Sequence, residues 1–471
     1  MISMQISVKA SGPSFSPASL APAAPAASGT AEGDSAGSMP APSTLPVVPP
    51  VPESLEETGL PATFIEQLLL RTLYVRGEMV GRELARAVAL RFSLIDPFLE
   101  TFKRQQVVQV KRSSGIGNVS SYFSLSELGR QQARECMDTN QYVGPAPVPL
   151  EQYSYIVRRQ KPPEGWLTKE RLHQAYKRMV LTDDILDQVG PAVSSGHSFL
   201  IYGQPGNGKT FLAEALVNID TTHIYMPYAI ESQGAIIQVY DKLFHQVIED
   251  VPGESAIEIE PAHDRRWFKC RRPFVVSGGE LVVNMLDLSF NAVSKVYDAP
   301  LQLKANNGIY LIDDFGRQRA TPAEVLNRWI VPMERHVDYL SLQSGGKITI
   351  PFEVFVVFST NLRPDQLGDE AFLRRIHYKM HLRNPKVPEF FEIFTRFCES
   401  QNLACTPEVA ERFIEKHYLA TGKRMRRCHP RDVLSHARDL LNFEKLEPVL
   451  TNDILDRAFR SCFAEIGDME A

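Results

Sequence analysis

A glycine-rich loop at residues 203–210 constrains the fold of this chain more than any other feature of the sequence. Its residues, Gly203-Gln-Pro-Gly-Asn-Gly-Lys-Thr210, match the pattern G-x-x-x-x-G-K-[ST]. The apolar run Ser198–Tyr202 before the loop predicts a buried strand, and Phe211–Val217 after it predicts a helix. In this context the backbone N–H groups of the loop converge on phosphate oxygens, and the helix dipole favours the bound anion. The loop therefore predicts a site for a nucleoside triphosphate.

Individual residues of this loop have predicted roles. Lys209 is expected to reach the β- and γ-phosphates, and Thr210 is expected to ligate Mg²⁺. The other loop residues and the residue after them are expected to contact the nucleotide: Gly203, Gln204, Pro205, Gly206, Asn207, Gly208 and Phe211.

Polar residues also follow two further apolar runs. Asp313 and Asp314 end the run Gly308–Ile312, and Asn361 comes shortly after Val354–Phe358. A buried strand that ends in two acids is costly without a cation, so we expect Asp313 to hold Mg²⁺ and Asp314 to polarise the attacking water. Asn361 is expected to hydrogen-bond the γ-phosphate or that water.

We call the glycine-rich loop the phosphate loop. This loop is followed along the chain by the strand that ends in Asp313 and Asp314 and then by Asn361, and this order resembles the motifs of AAA+ ATPases. Asn361 matches the position of the first sensor in that family. The resemblance implies that the nucleotide is ATP, that Mg²⁺ accompanies it, and that the reaction is hydrolysis to ADP and phosphate. In the run Asp369–Arg375, Arg374 and Arg375 resemble arginine fingers, which stabilise transition-state charge in a neighbouring subunit. One or both can act, and the resemblance implies a homo-oligomeric ring, a hexamer in the family.

A further arginine lies near the C-terminus. The run His429–Asp432 resembles the second sensor, and the resemblance implies that Arg431 touches the nucleotide. Three neighbouring arginines are alternatives for this role: Arg426, Arg427 and Arg438.

Two stretches indicate which branch of the AAA+ family the chain resembles. The run Leu303–Asp314 resembles the segment that leads up to the acidic strand end in enhancer-binding activators, MoxR-type ATPases and MCM-like helicases. Val337–Ile350 has two alternating segments around a glycine turn, which predicts a β-hairpin. The resemblance implies that this hairpin precedes the first sensor and points toward the pore of the ring. The long gap between Thr210 and Asp313 predicts an insertion, in which the basic and aromatic run Asp264–Arg272 is interpreted as structural rather than nucleic-acid binding.

The placement of the prolines divides the chain into domains. Ten of the 33 prolines lie between Pro13 and Pro52, in a composition too poor in large apolar residues to order itself. This predicts a disordered tail over residues 1–55, and later proline breaks predict a linker over residues 138–165. Alternating strands and helices over 166–385 predict an α/β P-loop core, a parallel sheet covered by helices, and residues 386–471 predict an all-α lid.

Residues 60–137 predict three helices, two strands around a turn-rich loop, and a fourth helix, an order that resembles a winged-helix domain. The phrase Tyr122–Arg130 resembles the closing strand and helix of such domains. The region has eleven Lys and Arg against seven Asp and Glu. Four of the basic residues cluster near the third helix and the loop: Lys103, Arg104, Lys111 and Arg112. This edge suits phosphate contacts with DNA, whereas Asp96 and Glu100 on the same helix oppose them.

The composition and the apolar runs of the chain argue against a membrane-spanning or a secreted protein. The 471 residues carry a formal net charge of −5 and are 44% hydrophobic and 23% charged, which is ordinary for a globular protein. No apolar run is long enough to span a bilayer, and Met1–Lys9 lacks the layout of a secretory signal. The six cysteines form no C-x-x-C pair, so the expected compartment is a reducing cytoplasm.

Three functions remain open at this point. The first is an oligomeric ATPase that remodels a protein partner, with the winged helix as adaptor. The second is a DNA-associated ATPase or regulator whose winged helix binds DNA. The third is a nucleotide-gated scaffold with little turnover, because many relatives carry Glu where this chain has Asp314, which is one methylene shorter.

Overall fold

A computed structural model of the protein describes residues 47–113, 115–163, 165–220, 222–248, 262–368 and 373–463. Most of the predicted tail, the last eight residues of the predicted lid, and residues 369–372 before the predicted fingers lie outside these ranges. The α-helices of the described ranges are α1 (Leu55–Thr58), α2 (Ala62–Arg76), α3 (Gly81–Val88), α4 (Phe92–Arg104), α5 (Glu127–Thr139), α6 (Leu150–Arg159), α7 (Lys169–Ala175), α8 (Asp183–Ser195), α9 (Lys209–Ala215), α10 (Leu301–Lys304), α11 (Pro322–Arg335), α12 (Val387–Ser400), α13 (Pro407–Ile414), α14 (His429–Glu444) and α15 (Asn452–Cys462). The strands are β1 (Met79–Val80), β2 (Val108–Ser113), β3 (Ser121–Leu125), β4 (Val148–Pro149), β5 (Phe199–Tyr202), β6 (His223–Pro227), β7 (Ala229–Ser232), β8 (Ala235–Gln238), β9 (Trp267–Arg271), β10 (Phe274–Ser277), β11 (Ser289–Asn291), β12 (Val296–Asp298), β13 (Ile309–Ile312), β14 (Val337–Ser341), β15 (Lys347–Pro351), β16 (Phe355–Thr360) and β17 (Tyr378–His381).

Five parallel strands form a central sheet in the order β10-β13-β16-β5-β17. Alternate residues of each strand face opposite sides, and both sides are covered, as a parallel sheet requires. Ile201 and Leu311 pack in the cluster that contains α8 and α9, whereas Leu200 and Ile312 pack in the cluster that contains α11. The parallel α/β sheet covered by helices confirms the predicted fold class.

The C-terminal part of the fold is helical, as predicted. Helices α12 to α15 pack around one apolar cluster, in which Phe390, Phe394, Leu434 and Leu455 are buried. None of the helices in the described ranges is long and apolar enough to cross a membrane.

A second sheet occupies the predicted insertion, in the order β11-β12-β8-β7-β4. Its edge strand β4 comes from residues 138–165, so the prediction that these residues are only a linker is wrong. Val148 pairs with Ile230 of β7, and Tyr153 and Val157 of α6 are buried in the same cluster as β7. The proline-rich composition is compatible with this pairing because a proline without an N–H is tolerated in an edge strand.

The predicted order of helices and strands is present in residues 60–137, where β1, β3 and β2 form an antiparallel sheet beside α2 to α5. This N-terminal domain shares one apolar cluster with the second sheet, which contributes Ala229, Ile236 and Val296. Ordered contacts begin before the predicted boundary at residue 55, because the carbonyl oxygen of Pro49 accepts from the N–H of Asp264 at 3.1 Å. The N-terminal domain is therefore packed onto the rest of the fold.

The predicted hairpin is formed by β14 and β15, which pair in antiparallel register from Val337 with Pro351 to Ser341 with Lys347. Leu340 and Ile348 are buried in the core of the second sheet. At the tip, the N–H of Gln343 donates to the hydroxyl of Tyr297 at 2.9 Å. The hairpin thus joins the second sheet to β16, the strand that ends beside Asn361.

The basic and aromatic run around β9 is structural, as the sequence favoured. Arg266 is only 1% exposed, and its guanidinium forms an ion pair with the equally buried Asp264 at 2.9 Å. The same guanidinium donates to the carbonyl oxygen of Thr58 at 2.8 Å and to the Oε1 atom of Gln152 at 3.3 Å. One buried cation therefore ties α1, α6 and the insertion together.

We expect Arg266→Ala to lower the free energy of unfolding by about 3–5 kcal/mol, because it leaves the Asp264 carboxylate buried without its partner. Urea unfolding followed by tryptophan fluorescence measures this. The matched control is Arg265→Ala, since Arg265 is the exposed neighbour and its loss is expected to cost less than about 0.5 kcal/mol. Equal effects of the two substitutions would contradict the role assigned to the buried ion pair.

Candidate functional site

Polar residues from three neighbouring strands meet at one edge of the central sheet. The phosphate loop follows β5, Asp313 follows β13, and Asn361 follows β16. Parallel strands place their carboxyl ends at the same edge, which is where ligands bind in open α/β sheets. The N–H of Phe315 donates to the carbonyl oxygen of Ser359 at 2.7 Å, which holds the ends of β13 and β16 together.

The ammonium group of Lys209 is the centre of this site. It donates to the carbonyl oxygens of Gly203 at 3.0 Å and Gln204 at 3.1 Å, and to the Oδ1 atom of Asn361 at 2.6 Å. Burial lowers the pKa of Lys209, and the carboxylates of Asp313 and Asp314 act in the opposite direction. The three oxygens match the three donors of the ammonium group, so the buried charge is satisfied.

Thr210 and Asp313, the two predicted Mg²⁺ ligands, are in contact. The hydroxyl of Thr210 donates to the Oδ2 atom of Asp313 at 2.9 Å. A hydroxyl and a carboxylate oxygen at this distance are the hard donors that Mg²⁺ prefers, and Mg²⁺ usually takes few ligands from protein and keeps its waters. These two residues therefore fit the predicted metal.

Asp314 adopts an unusual backbone conformation, with φ at 49°. Left-handed backbone is uncommon for residues other than glycine, although Asp and Asn tolerate it better than most. This turn places the Oδ1 atom of Asp314 at 2.7 Å from the Nδ2 atom of Asn361, which donates to it. Lys209, Asn361 and Asp314 thus form a continuous hydrogen-bonded chain.

A cavity of about 710 Å³ opens beside this chain, between the central sheet and the helical C-terminal region. Most of the predicted site residues line it: Pro205, Gly206, Asn207, Gly208, Lys209, Thr210, Phe211, Asp313, Asp314, Asn361 and Arg431. Gly203 and Gln204 do not line the cavity, but their carbonyl oxygens accept hydrogen bonds from Lys209. Arg374 and Arg375 do not line the cavity of their own chain; Arg374 is exposed, and the Nε atom of Arg375 lies 4.0 Å from the Oε1 atom of Glu334.

The C-terminal region adds arginines that the sequence motifs did not single out. Arg396 donates to the carbonyl oxygen of Lys177 at 3.0 Å. Arg427 donates to the carbonyl oxygen of Val180 and to the carboxylate of Glu389. Both arginines line the cavity, as does Arg178 from the segment that they hold. Arg427 was one of the alternatives to Arg431, but no local pattern marks Arg396 or Arg178.

The helical region also touches the phosphate loop directly. The N–H of Cys428 donates to the carbonyl oxygen of Gly206 at 2.8 Å. Gly206 has φ at 81°, and a Cβ atom placed on it would lie only 2.6 Å from the sulfur of Cys428. Burial raises the pKa of the Cys428 thiol to about 11. A glycine is therefore required here both for its backbone angle and for the approach of Cys428.

Comparisons with known proteins give matches to one domain family and to solved structures. A family model described as a domain of unknown function (DUF8689) matches residues 386–461. No curated protein matches the chain. Among solved structures, the chain is similar to the RuvB Holliday junction branch migration motor of Thermotoga maritima, with 14% identity over 64% of this chain and 72% of that one and a TM-score of 0.34. It is also similar to NtrX from Brucella abortus, with 11% identity over 60% and 57% of the two chains and a TM-score of 0.36.

The class of fold follows from the geometry of the chain itself. The phosphate loop lies at the carboxyl edge of a parallel sheet, beside an acidic strand end and a polar residue on the strand between them, and a helical region closes over it. These features together give the chain an α/β fold with a P-loop at the carboxyl edge of its parallel sheet.

We expect Gly206→Ala to push Cys428 away from the phosphate loop and to raise the rate at which iodoacetamide alkylates Cys428 about tenfold. The physical reason is that an exposed thiol recovers its ordinary pKa and forms more of the reactive thiolate. Mass spectrometry of the labelled peptide measures the rate, with Cys136 as an internal reference.

The matched control is Gly208→Ala in the same loop. Gly208 has φ at 82°, but a Cβ atom on it would meet nothing within 4 Å. Its substitution therefore adds the same backbone strain without the clash, and we expect little change at Cys428. A similar rate increase in both variants would show that backbone strain, not the contact with Cys428, controls the exposure of the thiol.

Proposed function

We propose that this protein is an AAA+ ATPase that hydrolyses ATP to ADP and phosphate and uses the energy to remodel a protein partner. The observation that carries the proposal is the hydrogen-bonded chain of Lys209, Asn361 and Asp314 beside the pair of Thr210 and Asp313. In this arrangement Lys209 supplies a cation for phosphate, and Thr210 and Asp313 supply two oxygens for Mg²⁺. Asp314 supplies a carboxylate that accepts a hydrogen bond from Asn361. Phosphoryl transfer depends mainly on such positioning and charge.

Each residue has a role in this proposal. The N–H groups of the phosphate loop and Lys209 bind the β- and γ-phosphates, while Thr210 and Asp313 hold Mg²⁺, which neutralises charge on the phosphate oxygens. Asp314 orients and polarises the attacking water, and Asn361 contacts that water or the γ-phosphate. Because Lys209 now bonds Asn361, its turn toward phosphate would release Asn361 for this contact.

The arginines of the helical region support a closed site. Arg431 is exposed and paired with Asp432 at 2.9 Å, so its guanidinium lies at the rim of the cavity. Arg427 is held by Glu389 at 2.7 Å and is better suited to fix the segment of Val180 than to bind phosphate. We therefore keep Arg431 as the residue that touches the nucleotide.

The second part of the proposal is that residues 60–137 form a winged-helix adaptor for a protein partner. The ammonium group of Lys103 donates to the side chains of Glu100 at 2.8 Å and Asn118 at 2.9 Å. The guanidinium of Arg112 lies 4.0 Å from the ring centre of Tyr122 and 3.7 Å from a carboxylate oxygen of Glu78. Arg104 also donates to the hydroxyl of Thr101 at 3.2 Å, and Lys111 donates to the Oε1 atom of Gln109 at 3.2 Å. All four clustered basic residues are thus engaged locally, which favours protein binding over DNA binding.

Asp314→Asn is expected to retain ATP binding within about threefold and to reduce turnover by about a hundredfold or more, because Asn tolerates the same backbone angle but is a poor base. Isothermal titration and phosphate release measure the two quantities. Asp365→Asn, an exposed residue paired with Arg363, is the control. Unchanged turnover in Asp314→Asn would refute its catalytic role, and a wild type that binds ATP without turnover would support the scaffold.

Arg374→Ala/Arg375→Ala is expected to bind ATP but to lose turnover, because these arginines lie outside the cavity of their own chain and would act in the next subunit. Mixing this variant with Asp314→Asn tests the shared site. A mixed ring would contain interfaces with an intact Asp314 from one chain and intact arginines from the other, so part of the activity should return. Normal turnover in the double variant, or no recovery in the mixture, would contradict a shared site.

A further inference from the structure

The residues that follow Arg374 and Arg375 lie at the amino edge of the central sheet, the edge opposite the phosphate loop. They lead into β17, whose first residue, Tyr378, pairs with Phe199 at the start of β5. The phosphate loop follows the other end of β5. A strand rises about 3.3 Å per residue, which places Ser198, the residue before β5, about 16 Å from the start of the loop. This part of the chain is therefore remote from the nucleotide cavity of the same chain.

One side chain bridges two backbone groups of this segment. Ser198 is only 6% exposed. Its hydroxyl donates to the carbonyl oxygen of Arg375 at 3.3 Å and accepts from the N–H of His377 at 3.3 Å. A serine hydroxyl carries one donor and two acceptor lone pairs, so it can form both hydrogen bonds at once. The backbone on each side of Ile376 is therefore held by the same hydroxyl.

Other contacts fix the same turn. The side chain of Ile376 is fully buried in the cluster that contains α11. The carbonyl oxygen of Ile376 accepts from the Nζ atom of Lys379 at 2.6 Å. The ring centres of His197 and His377 lie 4.3 Å apart. The turn that ends the arginine segment is thus anchored to the start of β5 and to the core.

The two arginines differ in how their side chains are held. Arg375 is half-buried, and its Nε atom lies 4.0 Å from the Oε1 atom of Glu334 in α11. Arg374 is exposed, and neither arginine lines the cavity of its own chain. A side chain that acts on a neighbouring subunit needs an accessible head group on a fixed backbone, and this segment has both.

We propose that Ser198 is a positioning residue, which holds the backbone of Arg374 and Arg375 where these arginines reach the nucleotide of a neighbouring subunit. This deepens the proposed ATPase function and rests on it. A displacement of about 1 Å at a reacting centre can cost about a hundredfold in rate, so the arginines need such a support. Ser198 is too far from the phosphate loop of its own chain to contact that nucleotide, and its effect is therefore on the site of the neighbour.

The test is Ser198→Ala in the full chain, which removes the hydroxyl and leaves the strand pairing in place. We expect turnover to fall about tenfold or more while the affinity for ATP stays within about twofold, because the arginines serve the transition state rather than binding. Phosphate release and isothermal titration measure the two quantities. The matched control is Ser194→Ala, an exposed serine of α8, which we expect to change neither.

Mixed assemblies show which site carries the defect. In an equal mixture of Ser198→Ala with Asp314→Asn, about one interface in four combines an intact Asp314 with well-placed arginines, so part of the activity should return. A mixture of Ser198→Ala with Arg374→Ala/Arg375→Ala should show no recovery, because neither chain offers well-placed arginines. A defect that spread along β5 to the phosphate loop would give the reverse pattern and would overturn the proposal.

Hydrogen exchange tests the support without hydrolysis. In Ser198→Ala the N–H of His377 loses its acceptor, so we expect the peptide that contains it to exchange about tenfold faster. Unchanged exchange, or unchanged turnover beside a wild type that hydrolyses ATP, would contradict the positioning role. A wild type that does not hydrolyse ATP rejects the proposed ATPase function and any role in turnover, whereas the exchange rates alone decide whether Ser198 holds the segment.

Discussion

The buried ammonium group of Lys209 is the interaction on which the candidate site depends. An unpaired charge at this depth would be too costly to keep, so the fold must bring oxygens to it. Two come from the phosphate loop after β5, and the third comes from Asn361 after β16. Because Asn361 also donates to Asp314 after β13, one cation indirectly orders the ends of three strands. The order of the strands in the sheet is what makes this possible.

Two other parts of the fold close around that edge. The helical region meets the phosphate loop at Gly206 and Cys428, and Arg396 and Arg427 hold the segment from Lys177 to Val180. The cavity beside the phosphate loop therefore has walls from both the central sheet and the helical region. A change in the angle between these parts would therefore change the shape of the cavity.

The N-terminal domain packs against the second sheet. This sheet shares one apolar cluster with that domain and another with the hairpin of β14 and β15, and the buried Arg266 donates to Gln152 of α6. The sequence predicted an insertion and a hairpin but treated residues 138–165 as a linker. Composition misled there, because closely spaced prolines are as compatible with an edge strand and the start of a helix as with a flexible connection.

The sequence by itself located the phosphate loop, the two acids after β13, and Asn361, which the structure brings together at one edge of the sheet. These signals are local, since a few adjacent residues specify the backbone geometry and the strand that carries them. Only the tertiary structure decided that Arg178, Arg396 and Arg427 share the cavity and that the hairpin lies on the second sheet. Such features depend on contacts between residues far apart in the chain, and no short pattern encodes the distance between them.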